Sequence, residues 1–201
     1  MQDTLEQIHA EIRACTGCRL HFGRRQAVPG DGPPNAKIMF IGEGPGFHED
    51  QQGLPFVGAA GHFLDELLAM IRMKRADVYI TNVIKCRPPA NRDPQPEEIE
   101  ACRSYLDRQI SVIRPHMIIT LGRYSMARPF PNARISQVHG HARKVDGILY
   151  FPMYHPAAAL HQPSLRPEVE QDMRKIPDLL AQMDSMPDSR LQEDARQLTL
   201  F

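Results

Sequence analysis

The chain has 201 residues with 24 basic and 24 acidic side chains, so its formal net charge is zero; this excludes a globally basic, nucleic-acid-coating protein and confines any nucleic-acid surface to a local patch. Its 42% hydrophobic content is enough for one α/β domain with a core, and no apolar run approaches membrane-spanning length. The N-terminus is acidic and amphipathic, unlike a secretory leader, which points to a cytoplasmic protein without membrane attachment.

Leu5, Ile8 and Ile12 recur at helical spacing behind Asp3 and Thr4, so residues 3–14 are expected to form a capped helix. Cys15-Thr16-Gly17-Cys18 follows, then Arg19, Arg24, Arg25 and a Pro/Gly-rich loop over 26–36. The short apolar run Ile38–Ile41 ends in Gly42-Glu43-Gly44-Pro45-Gly46 and reads as a buried strand entering a glycine loop. A second glycine-rich turn, 53–61, opens a helix expected from His62 to Met73. Strand, glycine loop and helix place a ligand at the carboxyl end of a parallel sheet. Glu43 would repel phosphate, and neither G-x-G-x-x-G nor G-x-x-x-x-G-K-[ST] is present, which argues against a nucleoside triphosphate cradle.

A second strand is expected over 76–81, ending at Asn82, followed by the loop Lys85-Cys86-Arg87-Pro88-Pro89. A helix should run from Pro96 to about Ile113 and carry Cys102; a third strand, Met117–Leu121, closes at Gly122, and a short helix precedes Pro129. Residues 130–147 read as irregular and polar. A fourth strand, Leu149–Met153, stops at Tyr154-His155-Pro156, and a last helix spans about Glu168–Met183. Alternating strands and helices predict a parallel sheet covered on both faces, and the polar residues Glu43, Asn82 and His155 after three strand ends would then share one edge.

The four cysteines, Cys15, Cys18, Cys86 and Cys102, are spaced C-x2-C, 67 residues, C-x15-C. A cytosolic chain disfavours disulfides, so a tetrahedral thiolate site is the better reading, and zinc and an iron–sulfur cluster both fit it. Arg19, Lys85, Arg87 and Arg103 adjoin the cysteines and would offset thiolate charge.

With these cysteines, G-E-G-P-G at 42–46, G-L-P-F-V-G at 53–58, T-N-V-I-K-C-R-P-P at 81–89 and Y-H-P-A-A at 154–158 resemble, in order, the family 4 (iron–sulfur) uracil-DNA glycosylases of the uracil-DNA glycosylase superfamily. The resemblance covers about residues 1–180. It implies an α/β fold, a three-layer α/β/α sandwich with a central four-stranded parallel sheet, and a [4Fe–4S] cluster on Cys15, Cys18, Cys86 and Cys102. It implies a base-excision-repair enzyme that flips deoxyuridine from uracil-containing DNA and hydrolyses its N-glycosidic bond. Phe56 would stack on uracil, and Asn82, which can donate and accept at once, would read N3–H and O4. His155, with backbone N–H groups of the glycine loop, would stabilise charge on O2 of the departing base. Glu43, or its main chain with that of Gly44, would position water or favour the sugar cation; Glu49 would lie near C5 and exclude the thymine methyl. Leu160 would be the wedge that fills the hole left by the flipped base. Ala159 and His161 stand where the family usually has leucine and arginine, and Val138-His139-Gly140 where it often has arginine before glycine, so DNA contacts should differ. Residues 87–98 lack the R-I-H insertion of relatives that bond to the abasic product, so a monofunctional enzyme is expected.

The chain divides into a glycosylase domain, 1–183, and a polar, flexible tail, 184–201, on a monomeric protein. The tail ends in Gln197-Leu198-Thr199-Leu200-Phe201, which resembles the Q-L-[SD]-L-F peptide by which bacterial repair and replication proteins bind the sliding clamp. Gln197, Leu198, Leu200 and Phe201 are its expected contact residues. Two other readings compete: a non-catalytic DNA-binding module with a structural metal, and a hydrolase of free nucleosides or nucleotides; Leu160 and the basic loops favour a polymeric substrate.

Overall fold

A computed structural model describes residues 3–188. Helix α1 (Leu5–Ala14) begins at Thr4, whose hydroxyl accepts from the Gln7 N–H at 3.2 Å while the Gln7 side chain accepts from the Thr4 N–H at 3.0 Å. Strand β1 (Ile38–Gly42) leads into α2 (Phe47–Gln52) and α3 (Ala59–Met70). Then come β2 (Tyr79–Asn82), α4 (Pro96–Ile113), β3 (Met117–Leu121), α5 (Arg123–Met126) and α6 (Ile135–Val138). The hairpin β4 (Arg143–Val145) and β5 (Ile148–Met153) is followed by α7 (Pro156–His161) and α8 (Arg166–Gln182).

The sheet has the order β2-β1-β3-β5-β4. The expected parallel strands are all there: β1 pairs with β2 and β3, and β3 with β5. The sheet is nevertheless five-stranded, not four-stranded, because β4 adds an antiparallel edge from the stretch read as irregular. Its cause is local. Asp146 and Gly147 both adopt positive φ (52° and 79°), the geometry of a primed two-residue hairpin turn that Asp-Gly favours. The charged strand Arg143-Lys144-Val145 shows no apolar alternation because an edge strand buries little.

Period-two alternation divides the core into two layers. Ile38, Phe40, Met117, Ile119, Leu121, Leu149, Phe151 and Met153 face α3, α7 and α8. Met39, Ile41, Ile118 and Tyr150 face α1 and α4 on the other side. Helices α2, α6 and α7 escaped the sequence reading because they have only 6, 4 and 6 residues, too few to show a helical period. Contact with the domain runs past the boundary expected at residue 184: Lys144 Nζ donates to the Met186 carbonyl at 3.4 Å, and Asp188 Oδ2 accepts from the Gly147 N–H at 2.7 Å. The C-terminal motif Gln197, Leu198, Leu200 and Phe201 lies outside the described residues. Among those described, no helix is long and apolar enough to cross a membrane.

Candidate active site

Parallel pairing sets Gly42 beside Asn82 and Leu121 beside Met153, so the residues that follow these positions emerge on one edge. There they enclose a cavity of about 500 Å³ whose lining includes Glu43, Gly44, Glu49, Phe56, Asn82 and His155. All six expected pocket residues therefore meet. Leu160 is 44% exposed on α7, between the lining residues Ala158 and His161.

Asn82 is buried, and its Oδ1 has no hydrogen-bond partner. An unpartnered buried acceptor costs about 1–3 kcal/mol, a cost that a bound donor would remove. A Cβ built on Gly42 would lie 2.6 Å from Phe56 Cζ and collide with Asn82 Oδ1, so the amide oxygen and the ring edge approach the same point. The Phe56 ring also stacks on the His155 imidazole, with centroids 5.4 Å apart and planes at 25°. Phe56 holds a left-handed backbone (φ 52°) that a non-glycine residue adopts only when secured. Arg75 secures it: its guanidinium donates to the carbonyls of Pro55, at 3.0 Å, and Phe56, and is itself paired with Asp65 at 2.6 Å. The sequence held no signal for this role of Arg75.

His155 caps α7, with Nδ1 accepting from the Ala157 N–H at 3.1 Å. Burial lowers its pKa to about 4. The ring is therefore neutral near pH 7, and because Nδ1 accepts, Nε2 carries the proton and is a donor. Glu43 is fixed by the turn after β3: its Oε1 accepts from the Arg123 N–H at 3.1 Å, and a Cβ on Gly122 (φ 91°) would strike that oxygen. Burial raises the Glu43 pKa above the usual carboxylate range, an effect partly countered by the charge of Arg123.

Glu49 is occupied. Its Oε1 accepts from the N–H groups of Val57 and Gly58, both at 2.9 Å, and its Oε2 from Gly46 at 3.1 Å. It thus binds the two glycine loops together, a bracing role absent from the sequence reading. The Gly46 N–H is consequently spent on Glu49. The sequence also missed the cavity's outer wall, Pro88 to Pro94, which includes Asn91, Arg92 and Asp93. Arg92 anchors that wall with a bidentate bond to buried Glu98 (2.9 and 2.6 Å) at the start of α4, and Asp93 pairs with Arg123.

The four cysteines meet where the end of α1, the stretch after β2 and α4 come together. Cys15 ends α1, Cys18 precedes the turn Arg19–Phe22, Cys86 follows β2 and Cys102 lies on α4. All four line one small cavity with Arg24, Lys85 and Tyr105. Among the described residues no three His, Cys, Asp or Glu side chains converge as a site for a single metal ion; the thiols instead surround a space. Arg24 Nη1 donates to Cys86 Sγ at 3.1 Å, and the Gly17 N–H to Cys15 Sγ at 3.3 Å. Burial pushes the Cys102 thiol up to about 11, so as a bare thiol it is protonated near neutral pH. Lys85 is fully enclosed, its Nζ donating to Thr81 Oγ1 (2.7 Å), the Asn82 carbonyl (2.7 Å) and Gln109 Oε1 (2.8 Å). It thereby ties the strand end that carries Asn82 to the segment that carries Cys86.

The sequence pattern of the Uracil DNA glycosylase superfamily matches residues 29–177. The chain is 48% identical over 187 residues to the type-4 uracil-DNA glycosylase of Sulfurisphaera tokodaii, covering 88% of this chain and 85% of that protein. It is 49% identical over 189 residues to the type-4 enzyme of Saccharolobus solfataricus (89% and 88% covered), and 47% over 186 residues to that of Archaeoglobus fulgidus (88% and 94%).

Proposed function

The chain belongs to the uracil-DNA glycosylase superfamily, and from that premise we propose that the cavity at the strand ends takes up a uracil flipped out of DNA. The reaction is the glycosylase reaction of DNA repair: hydrolysis of the bond between N1 of uracil and C1′ of deoxyribose, leaving free base and an abasic site. The observation that carries the assignment of the cavity is the buried, unpartnered Oδ1 of Asn82 beside the Phe56 ring.

Uracil stacks on Phe56, and the Asn82 amide accepts from N3–H and donates to O4. Cytosine presents an acceptor at N3 and a donor at its 4-position, so it meets two mismatches. As the C1′–N1 bond breaks, its electron pair leaves with the base, and neutral His155 donates from Nε2 to the charge on O2. Water adds to C1′ and loses a proton to solvent, which balances the charge of the released uracil anion; Glu43, held by the Arg123 N–H, orients that water and opposes the positive charge on the sugar. Glu49 excludes the thymine methyl indirectly, by fixing the loops that set the cavity's width. Leu160 fills the vacated place in the stack.

Cys15, Cys18, Cys86 and Cys102 would hold a [4Fe–4S] cluster. Four thiols from three separate segments surround one space; the Arg24 guanidinium, which donates to Cys86 Sγ, offsets thiolate charge, while burial lowers the Lys85 pKa to about 7. The cluster would supply cross-linking of α1, α4 and the loop after β2. The protein acts as a monomer, and its C-terminal peptide, Gln197 to Phe201, docks on a sliding clamp; the pentapeptide pattern supports this.

Single-turnover release of uracil from an oligonucleotide tests the assignment. The wild type releases uracil, and Asn82→Ala loses at least about 100-fold in kcat/KM, the scale of two or more lost hydrogen bonds. No release by the wild type, or undiminished release by the variant, would overturn it.

A further inference from the structure

We propose that a groove beside the cavity carries single-stranded DNA adjoining the flipped nucleotide, with Phe47 and Phe22 as stacking platforms for its bases. The proposal rests on the glycosylase reading of the cavity.

Four large apolar side chains stand exposed among the described residues: Phe22 (82%), Phe47 (50%), Leu160 (44%) and Leu54 (43%). Three of them adjoin the cavity: Leu160 on α7, Phe47 directly after Gly46, and Leu54 two residues before Phe56. Phe22 needs another reason. It ends the turn Arg19–Phe22, and its sequence neighbours Arg19, Leu20 and Gly23 line a depression of about 150 Å³ with Arg87, Pro88 and Pro89. Pro88 lines the main cavity as well, so the two concavities share a wall. Arg87 links them again, its guanidinium 5.1 Å from the centroid of the Phe47 ring.

The two chain segments along this path are one-sided in charge, with the carboxylates Asp93 and Glu97 following only after the second of them. Residues 12–30 contain Arg13, Arg19, Arg24 and Arg25 and no carboxylate; residues 83–92 contain Lys85, Arg87 and Arg92 and again none. Several of these cations are engaged inward: Arg24 with Cys86, Arg92 with Glu98, and Lys85 wholly in the interior. Arg19 and Arg87 face the groove. Arg19 pairs with Glu97 at 3.2 Å, but the two side chains are 66% and 57% exposed, so exchanging that partner for a phosphate costs little. In a protein of zero net charge, this stripe is the local patch that a polyanion requires.

The occupant is a single strand rather than a duplex or an apolar protein surface. A duplex offers no base faces along its length. An apolar partner needs a contiguous patch, and here the aromatic rings are separated by Arg87, Pro88 and Arg19. Separated aromatic rings along a basic groove are the arrangement on which unpaired bases stack. The Phe22 ring is supported from behind by His21, with centroids 3.8 Å apart, yet keeps most of its surface open.

The test compares wild type, Phe22→Ala and Phe22→Trp on a single strand of about 20 nucleotides with one central deoxyuridine, and on a deoxyuridine trinucleotide. Binding of the same strand without uracil is followed by fluorescence anisotropy. Phe22→Ala is expected to raise KM on the long strand about 5- to 150-fold, the range of one lost stacking contact, with kcat within about twofold and the trinucleotide unaffected. It should weaken the uracil-free strand by the same factor, and Phe22→Trp should restore both. Wild-type affinity of Phe22→Ala for the uracil-free strand, an equal loss on the trinucleotide, or failure of tryptophan to rescue would each overturn the proposal. A wild-type protein that binds the strand through Phe22 but releases no uracil would refute the cavity assignment instead, leaving the groove intact.

Discussion

Gly42→Ala tests whether the amide and the ring at the cavity's base recognise the substrate. Gly42 is not at positive φ, so alanine suits its backbone and the penalty is purely steric. The added Cβ would lie 2.6 and 2.7 Å from Phe56 Cζ and Cε2, and nearer still to Asn82 Oδ1. The backbone cannot yield, because β1 is paired on one side with β2 and on the other with β3. Nor can the Phe56 main chain, which Arg75 holds by two carbonyls. The Asn82 amide and the Phe56 ring must therefore turn away, and overpacking of this kind costs about 1–3 kcal/mol. Both groups would then be misplaced for uracil, and at tenfold per about 1.4 kcal/mol, kcat/KM should fall about 5- to 140-fold. Single-turnover excision measures the loss, and thermal unfolding with far-ultraviolet circular dichroism verifies that the variant is folded. A folded variant with kcat/KM within about twofold of wild type would show that uracil does not bind between Asn82 and Phe56.

His155→Ala should lower kcat by about 10²–10³, the scale of one lost oxyanion donor. With its pKa near 4, His155 should contribute no inflection to wild-type kcat between about pH 6 and 8; a break near 6.5 that vanishes in the variant would mean a cationic imidazole instead. Burial lowers both His9 and His155 to about 4, below the 6.5 of an unfolded chain. The unfolded state therefore takes up protons first, and stability held above pH 6.5 should drain away as pH falls toward 4. Urea midpoints across that window report it, His9→Asn should flatten the decline, and a rise on acidification would contradict it. Protein purified anaerobically should contain about four iron and four sulfide per chain, and Cys86→Ala should lose iron and thermal stability; stoichiometric zinc from iron-replete cells would exclude the cluster. Removing residues 197–201 should abolish binding to a sliding clamp in surface plasmon resonance while excision from short oligonucleotides continues; undiminished clamp binding would make the pentapeptide irrelevant.

The sequence by itself determined the parallel core, because β1, β2, β3 and β5 are short apolar runs ended by polar or glycine punctuation, and that pattern depends on local composition alone. It also placed Glu43, Asn82 and His155 on one edge, since every strand of a parallel sheet ends on the same side. The edge strand β4 was not legible: its stretch read as irregular, because a half-buried charged strand carries no hydrophobic period, and only the structure shows the Asp146-Gly147 turn that pairs it. Only the tertiary structure decided what each carboxylate and cation does. Glu49 is spent on three backbone N–H groups, Arg75 on the carbonyls behind Phe56 and Lys85 on the strand end at Asn82. These bonds join residues between 3 and 20 positions apart whose side chains have no periodicity to betray them. The same holds for the gathering of four cysteines from Cys15 to Cys102 around one space. Spacing shows which residues could be ligands, but whether their segments meet depends on how α1 and α4 pack against the sheet, a long-range outcome that no local stretch encodes.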